Sequence, residues 1–114
     1  MTTESKFINL LRSFATDPAA RGLLDDVAVI DMGDASLIIT HDMMAEGVHF
    51  RSNANPADVA WKLVASNLSD LAAKGAAPIG VLLGFMLGDD AWDRAFAVGL
   101  EKALAHYNVA LLGG

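Results

Sequence analysis

Residues 55–112 read NPADVAWKLVASNLSDLAAKGAAPIGVLLGFMLGDDAWDRAFAVGLEKALAHYNVALL, and this stretch decides the fold class. Asn55-Pro56 marks a helix start, because asparagine caps the first free amides and proline suits the first helical position. The helix is predicted to run to about Lys74, with a break near Ser69, and Gly75 ends it. Its apolar stripe contains Ala60, Val64, Leu68 and Leu71, while Asn67 and Asp70, three apart, share another face. Residues 78–87 (PIGVLLGFML) read as a buried strand in which Gly80 and Gly84 permit close approach. Residues 90–106 form a further helix with Trp92, Phe96, Leu100 and Leu104 on one side. Residues 109–112 make a last strand that enters Gly113-Gly114. Strands alternating with helices imply parallel crossovers and an α/β layer.

Upstream, Phe7, Leu10, Leu11 and Phe14 recur at helical spacing, so residues 4–15 are predicted as an amphipathic helix capped by Thr2 or Thr3. Asp17-Pro18 stops it, and residues 19–24 connect onward. Residues 27–31 (VAVID) and 35–40 (ASLIIT) read as two strands joined by Met32-Gly33-Asp34, hence a hairpin. The second strand's apolar run suits burial on both faces. Residues 43–50 are expected to continue as an extended segment. The whole chain then reads as α/β, with a mixed sheet covered by helices on one face. No internal repeat, linker or low-complexity stretch interrupts residues 1–114, which read as a single domain.

Composition narrows the function. With 114 residues the chain can build a core without staples, and with no cysteine it has no disulfide, thiolate metal site or catalytic thiol. Eight basic against fourteen acidic residues give a net charge of −6. That balance disfavours nucleic acid and an anionic membrane surface. A phosphate ligand on such a chain calls for a divalent cation. The hydrophobic share is 54%, above the ~45–50% usual for soluble domains, yet no apolar run reaches the ~20 residues of a membrane helix. The polar MTTESKF start is no secretory signal. The surplus apolar surface therefore suits a protein interface.

Acidic residues gather at strand ends: Asp25-Asp26 before one strand, Asp42 after the next, Asp70 on the helix beyond. Ligands of α/β sheets bind at such places. Mg²⁺ takes one or two carboxylates together with waters and substrate phosphates. The competing reading is that these aspartates are solvated caps and turn residues. His49, in EGVHF, is either a packed or surface histidine or a residue that hydrogen-bonds to substrate. His41 alternates away from Thr40 and Asp42, and His106 near a helix end receives no function. Gly113-Gly114 would let backbone amides approach a phosphate. The chain contains no Walker loop, no GxGxxG and no Gly-x-Ser-x-Gly.

Four pieces in order carry a family resemblance: DDVAVI (25–30), THDMMAEGVHF (40–50), WKLVASNLSDLAAKGA (61–76) with Pro78 after it, and LLGG (111–114). The chain resembles the N-terminal domain of the thiamine-monophosphate kinase family, within the aminoimidazole ribonucleotide synthetase and selenophosphate synthetase superfamily. The resemblance spans about residues 4–114. It implies ATP-dependent phosphorylation of thiamine monophosphate to thiamine diphosphate, several Mg²⁺ ions, a cytoplasmic enzyme, and N-terminal sheets that pair into a dimeric barrel. It assigns Asp26, Thr40, His41, Asp42 and Asp70 to metal binding, His49 to the thiamine phosphate, and Gly114 to the nucleotide.

Three departures from the family pattern stand out. Leu24 replaces a glycine before the two aspartates, and His41 replaces a threonine. The Gly-Gly-Asp-Thr motif ends here after its second glycine, so its aspartate and the family's C-terminal domain lie outside these residues. The expectation is an N-terminal piece that is inactive alone. The competing functions are a sister enzyme of the superfamily acting on another substrate, and a non-catalytic dimerisation or binding module.

Overall fold

The computed structural model describes residues 2–114 and divides into two compact units, Met1–His41 and Asp42–Gly114. The first unit begins with helix α1 (Thr3–Arg12), capped by Thr2, whose side chain accepts from the Ser5 N–H. The helix stops short of the expected residue 15. The Ser13 hydroxyl and amide both bond to the Leu10 carbonyl, and the Phe14 N–H bonds to Leu11 in a tight last turn. None of the residues of α1 is buried, and Phe7 and Phe14 are 59% and 69% exposed.

A 3₁₀ segment, Pro18–Leu23, follows, with Asp17 accepting from the Ala19 N–H. It kinks at Arg21 and Gly22, and Arg21, Gly22 and Leu23 all have positive φ. The Arg12 guanidinium reaches back to the Gly22 and Leu23 carbonyls and ties α1 to this kink. Strands β1 (Val27–Asp31) and β2 (Ser36–Thr40) then pair antiparallel from Val27↔Thr40 to Asp31↔Ser36, the predicted hairpin. Asp31 accepts from the Gly33 N–H at 2.9 Å, and Gly33 supplies the left-handed φ of +87° that the turn requires. Against expectation, β2 is not buried on both faces: Leu37 and Ile39 are exposed. Only Val27 of this unit is buried among the described residues.

The second unit contains the helix–strand–helix–strand succession. Helix α2 (Pro56–Ala73) starts as predicted, with Asn55 accepting from the Ala57 N–H. It runs without the break expected near Ser69 and ends where Gly75 turns left-handed at φ +69°. Strand β3 is only Gly80–Leu82, far shorter than the apolar run of residues 78–87. Its partner β4 (Ala110–Gly113) offers four residues, and a register shift between Val81 and Leu82 interrupts the ladder. A strand extends only as far as its neighbour can take up its amides. Helix α3 (Asp90–Tyr107) connects them, capped by Asp89 and ended by Asn108 in the left-handed conformation. The β3–β4 pair is parallel, as the crossover implied.

Here the core forms where α2 meets α3: Val59, Ala60 and Val64 pack against Phe96, Leu100, Ala103 and Leu104, with Val109 beneath. Gly99 permits this contact, because a Cβ there would sit 2.4 Å from the Ala57 Cα. The described strands make two two-stranded sheets, one in each unit, rather than the single mixed sheet expected. None of the described helices is long and apolar enough to cross a membrane.

Candidate functional site

In the first unit the candidate residues sit at the open end of the hairpin. Val27 and Thr40 are paired, so the start of β1 and the end of β2 lie side by side. The Thr40 hydroxyl donates to the Asp26 carbonyl at 3.0 Å, across the strands. That bond holds two of the predicted residues together and leaves the Asp26 carboxylate exposed. The neighbouring Asp25 is half-buried and pairs with the Arg21 guanidinium at 3.2 Å. Of the two adjacent aspartates, then, Asp25 is engaged in the local fold. Leu24, where the family pattern has glycine, is αR at φ −89°, a conformation open to any residue. The positive φ falls one residue earlier, at Leu23. His41 is exposed at the end of this unit.

In the second unit residues 45–50 are not extended. They form compact turns, in which His49 N–H and Val48 N–H both bond to the Ala45 carbonyl, and Gly47 N–H bonds to the Phe50 carbonyl at 2.7 Å. Gly47 has φ +80°, which a glycine adopts without the penalty a side chain would add. Segment 42–50 is secured to both helices of the unit. At its start, Asn67 of α2 accepts from the Asp42 N–H at 2.9 Å and donates to the Asp42 carbonyl at 3.4 Å. The same side-chain amide donates to the Leu63 carbonyl at 2.9 Å, so its orientation is fixed. At the other end, Lys62 Nζ donates to the His49 carbonyl at 3.1 Å. Phe50 stacks on Trp92 of α3, which in turn stacks on Phe96 and Phe85.

The imidazole of His49 is defined by its own turn. Its Nδ1 accepts from the Ala45 N–H at 2.8 Å. A nitrogen that accepts carries no proton, so in the neutral ring the proton resides on Nε2. His49 therefore presents a hydrogen-bond donor on the nitrogen the turn does not use. Asp70 lies half-buried on α2, three residues beyond Asn67. His106 packs against Trp61 with the rings tilted at 48° and their centroids 5.2 Å apart.

Gly114 has a structural reason of its own. A Cβ there would fall 2.1 Å from the Leu83 carbonyl oxygen, and Leu83 N–H bonds to the Gly113 carbonyl at 2.9 Å. Glycine is needed for this approach, whatever else the backbone does. Among the described residues no three His, Asp or Glu side chains group to enclose a metal. The donor set is carboxylate and hydroxyl oxygen, apart from His41, which is the chemistry Mg²⁺ prefers. Mg²⁺ is usually held by one or two carboxylates with substrate phosphates rather than by an all-protein cage, so the oxygen donors of either unit, taken by itself, suit its chemistry. Sequence reasoning placed Asn67 on a polar face without giving it a task. Its bonds to residue 42 join positions 25 apart, a separation that no spacing rule reaches.

An α/β domain with oxygen donors at its strand ends is the class these features define. Residues 24–114 match the family described as AIR synthase related protein, N-terminal domain, and the chain belongs to that family. The thiamine-monophosphate kinase of Caulobacter vibrioides is 46% identical over 86% of this chain, which spans 29% of that protein. The thiamine-monophosphate kinase of Synechococcus elongatus is 37% identical over 97% of this chain and 35% of its own length. The chain thus spans about a third of the length of these curated relatives. Among solved structures, AaThiL complexed with AMPPCP and TMP superposes on 100% of this chain and 38% of its own, with TM-score 0.81 at 26% identity. The thiamine monophosphate kinase from Aquifex aeolicus superposes over the same shares with TM-score 0.77.

Proposed function

We propose that this chain is the N-terminal part of a thiamine-monophosphate kinase, which transfers the γ-phosphoryl group of ATP to thiamine monophosphate and forms thiamine diphosphate. The observation that carries this reading is the superposition of this whole chain on 38% of AaThiL, whose complex holds AMPPCP and TMP. The identity of 37–46% to kinases of that name supports it.

Asp26, Thr40, His41, Asp42 and Asp70 are the residues that would hold Mg²⁺, and Gly114 lies at the nucleotide. When bound, Mg²⁺ neutralises phosphate oxygens, which a chain of net charge −6 would otherwise repel. The remaining work is positioning, since phosphoryl transfer needs little covalent help from the protein. His49 contributes a neutral Nε2–H donor to the acceptor phosphate, held in that tautomer by the Ala45 N–H. The Thr40–Asp26 bond keeps the end of the hairpin closed while the carboxylate stays free to bind.

Residues 1–114 form the ATP- and Mg²⁺-binding and dimerisation domain of a cytoplasmic homodimer, its sheets paired into a barrel. Exposed apolar side chains support that pairing, including Ile30, Leu37 and Ile39 on the hairpin and Leu111 and Leu112 on β4. The 114-residue piece alone does not turn over substrate.

The test is incubation of the full chain with ATP, Mg²⁺ and thiamine monophosphate, with thiamine diphosphate followed by chromatography. Metal-dependent product is expected. A folded full chain that forms none, yet consumes ATP with another phosphate acceptor, would assign the fold to a sister activity.

A further inference from the structure

We infer that α2 carries two separate positioning residues, Asn67 for the carboxylate of Asp42 and Lys62 for the imidazole of His49. The inference rests on the proposed roles of Asp42 and His49 and adds residues to which no role has been assigned. Its basis is the way segment 42–50 is attached. Asn67 bonds both backbone groups of one candidate ligand, the Asp42 N–H and C=O. Its third bond, to the Leu63 carbonyl one helical turn earlier, uses the remaining amide proton. All the polar atoms of the amide are thereby committed, and the Cα of Asp42 is held against α2. Lys62, five positions earlier on the same helix, bonds the carbonyl of His49. At 1.5 Å per residue the two anchors stand about 7.5 Å apart along the helix axis. A rigid helix therefore sets where the segment's two chemical groups begin, one at each end.

The two anchors are expected to act on different ligands. Asn67 orders a residue proposed to bind metal, and Lys62 orders a residue proposed to bind the acceptor phosphate. Loss of an outer partner of a metal ligand typically weakens metal binding ~10–100-fold, and a backbone clamp belongs at the lower end of that range. Loss of one charge-assisted bond is worth ~10-fold or more in affinity when buried, and ~10-fold or less for an exposed donor such as Lys62.

The test uses the full chain with Asn67→Ala, Lys62→Met, Lys62→Arg and Asp42→Asn. Mg²⁺ binding is read by calorimetry without substrates, exchange of the residue 42 amide by NMR, and the KM for thiamine monophosphate in steady state. Asn67→Ala is expected to weaken Mg²⁺ binding by about 10-fold and to speed exchange at residue 42, with the acceptor KM within about twofold. Lys62→Met is expected to raise the acceptor KM about five- to tenfold with Mg²⁺ binding unchanged, and Lys62→Arg to restore most of it. If both variants move both quantities together, the segment is merely loosened and the assignment of separate tasks is overturned. If Asp42→Asn abolishes Mg²⁺ binding while a folded Asn67→Ala leaves it unaltered, Asn67 is not a positioning residue although the metal reading stands. Unchanged Mg²⁺ binding in Asp42→Asn would instead remove the metal role of Asp42, a failure of the proposed function itself.

Discussion

The two units have similar sequence patterns and different interiors. Helix α1 and helices α2 and α3 all show apolar residues at helical spacing, yet α1 buries nothing while α2 and α3 supply seven of the buried residues of one core. The difference lies in partners rather than in amphipathicity. In the second unit, α2 and α3 meet each other directly, and each apolar stripe finds its complement within 73 residues. In the first unit, Phe7, Leu10 and Phe14 have no complement among the described residues. An apolar stripe states that a face prefers to leave water, and it does not name the surface that receives it.

This contrast is open to direct attack by urea unfolding of the chain. The largest effect is expected for Phe96→Ala, which empties the centre of the α2–α3 core and the aromatic stack of Phe85 and Trp92, costing about 3–5 kcal/mol. Phe7→Ala on α1 is its counterpart and is expected to stay within about 0.5 kcal/mol. Equal losses would mean that α1 is covered in solution, and the contrast between the units would fail.

Glycines sharpen the comparison at a smaller scale. Gly99→Ala would place a methyl group 2.4 Å from the Ala57 Cα, so α2 and α3 must move apart. A cost of about 1–3 kcal/mol is expected for such overpacking. Gly33→Ala meets nothing within 4 Å and is penalised only for its φ of +87°, by about 1 kcal/mol. A Gly99→Ala chain as stable as the wild type would show that the helix contact is loose.

The smallest effect concerns helix starts, where both units use the same device. Asn55→Ala removes the cap of α2 and is expected to cost about 1 kcal/mol, since that helix belongs to a cooperative core. Thr2→Ala removes the cap of α1, and local fraying seen by hydrogen exchange is expected in place of a shift in the global midpoint. A shared global loss would join the two units into one cooperative transition.

Local chemistry made much of this readable beforehand. The Asn55-Pro56 start, the Gly75 stop and the hairpin around Gly33 all follow from residues within a few positions of one another, and the parallel relation of β3 and β4 follows from the helix between them. The errors arose where a partner was needed. The run of residues 78–87 is apolar enough for ten strand residues, but β4 offers only four, and three residues form β3. Residues 43–50 carry no strong turn signal besides Gly47, yet residues 45–50 fold back through Gly47 and its turn bonds. The family resemblance names Asp26, Thr40, His41, Asp42, His49, Asp70 and Gly114 as candidates, but nothing along the chain names the contacts that hold them. Leu24 is an instructive case: it stands where the family has glycine, yet it is αR, and the left-handed residues are Arg21, Gly22 and Leu23 before it.

By itself the sequence determined the α/β class, the family, the Asn55 cap and which residues are candidates for phosphate and metal binding. These depend on short-range sterics, on charge and on motif order, all written along the chain. Only the tertiary structure decided which apolar faces are covered, how long each strand is, and that Asn67 and Lys62 hold the segment carrying Asp42 and His49. Those facts depend on contacts between distant positions, where a free amide or an apolar stripe takes whichever partner the fold delivers.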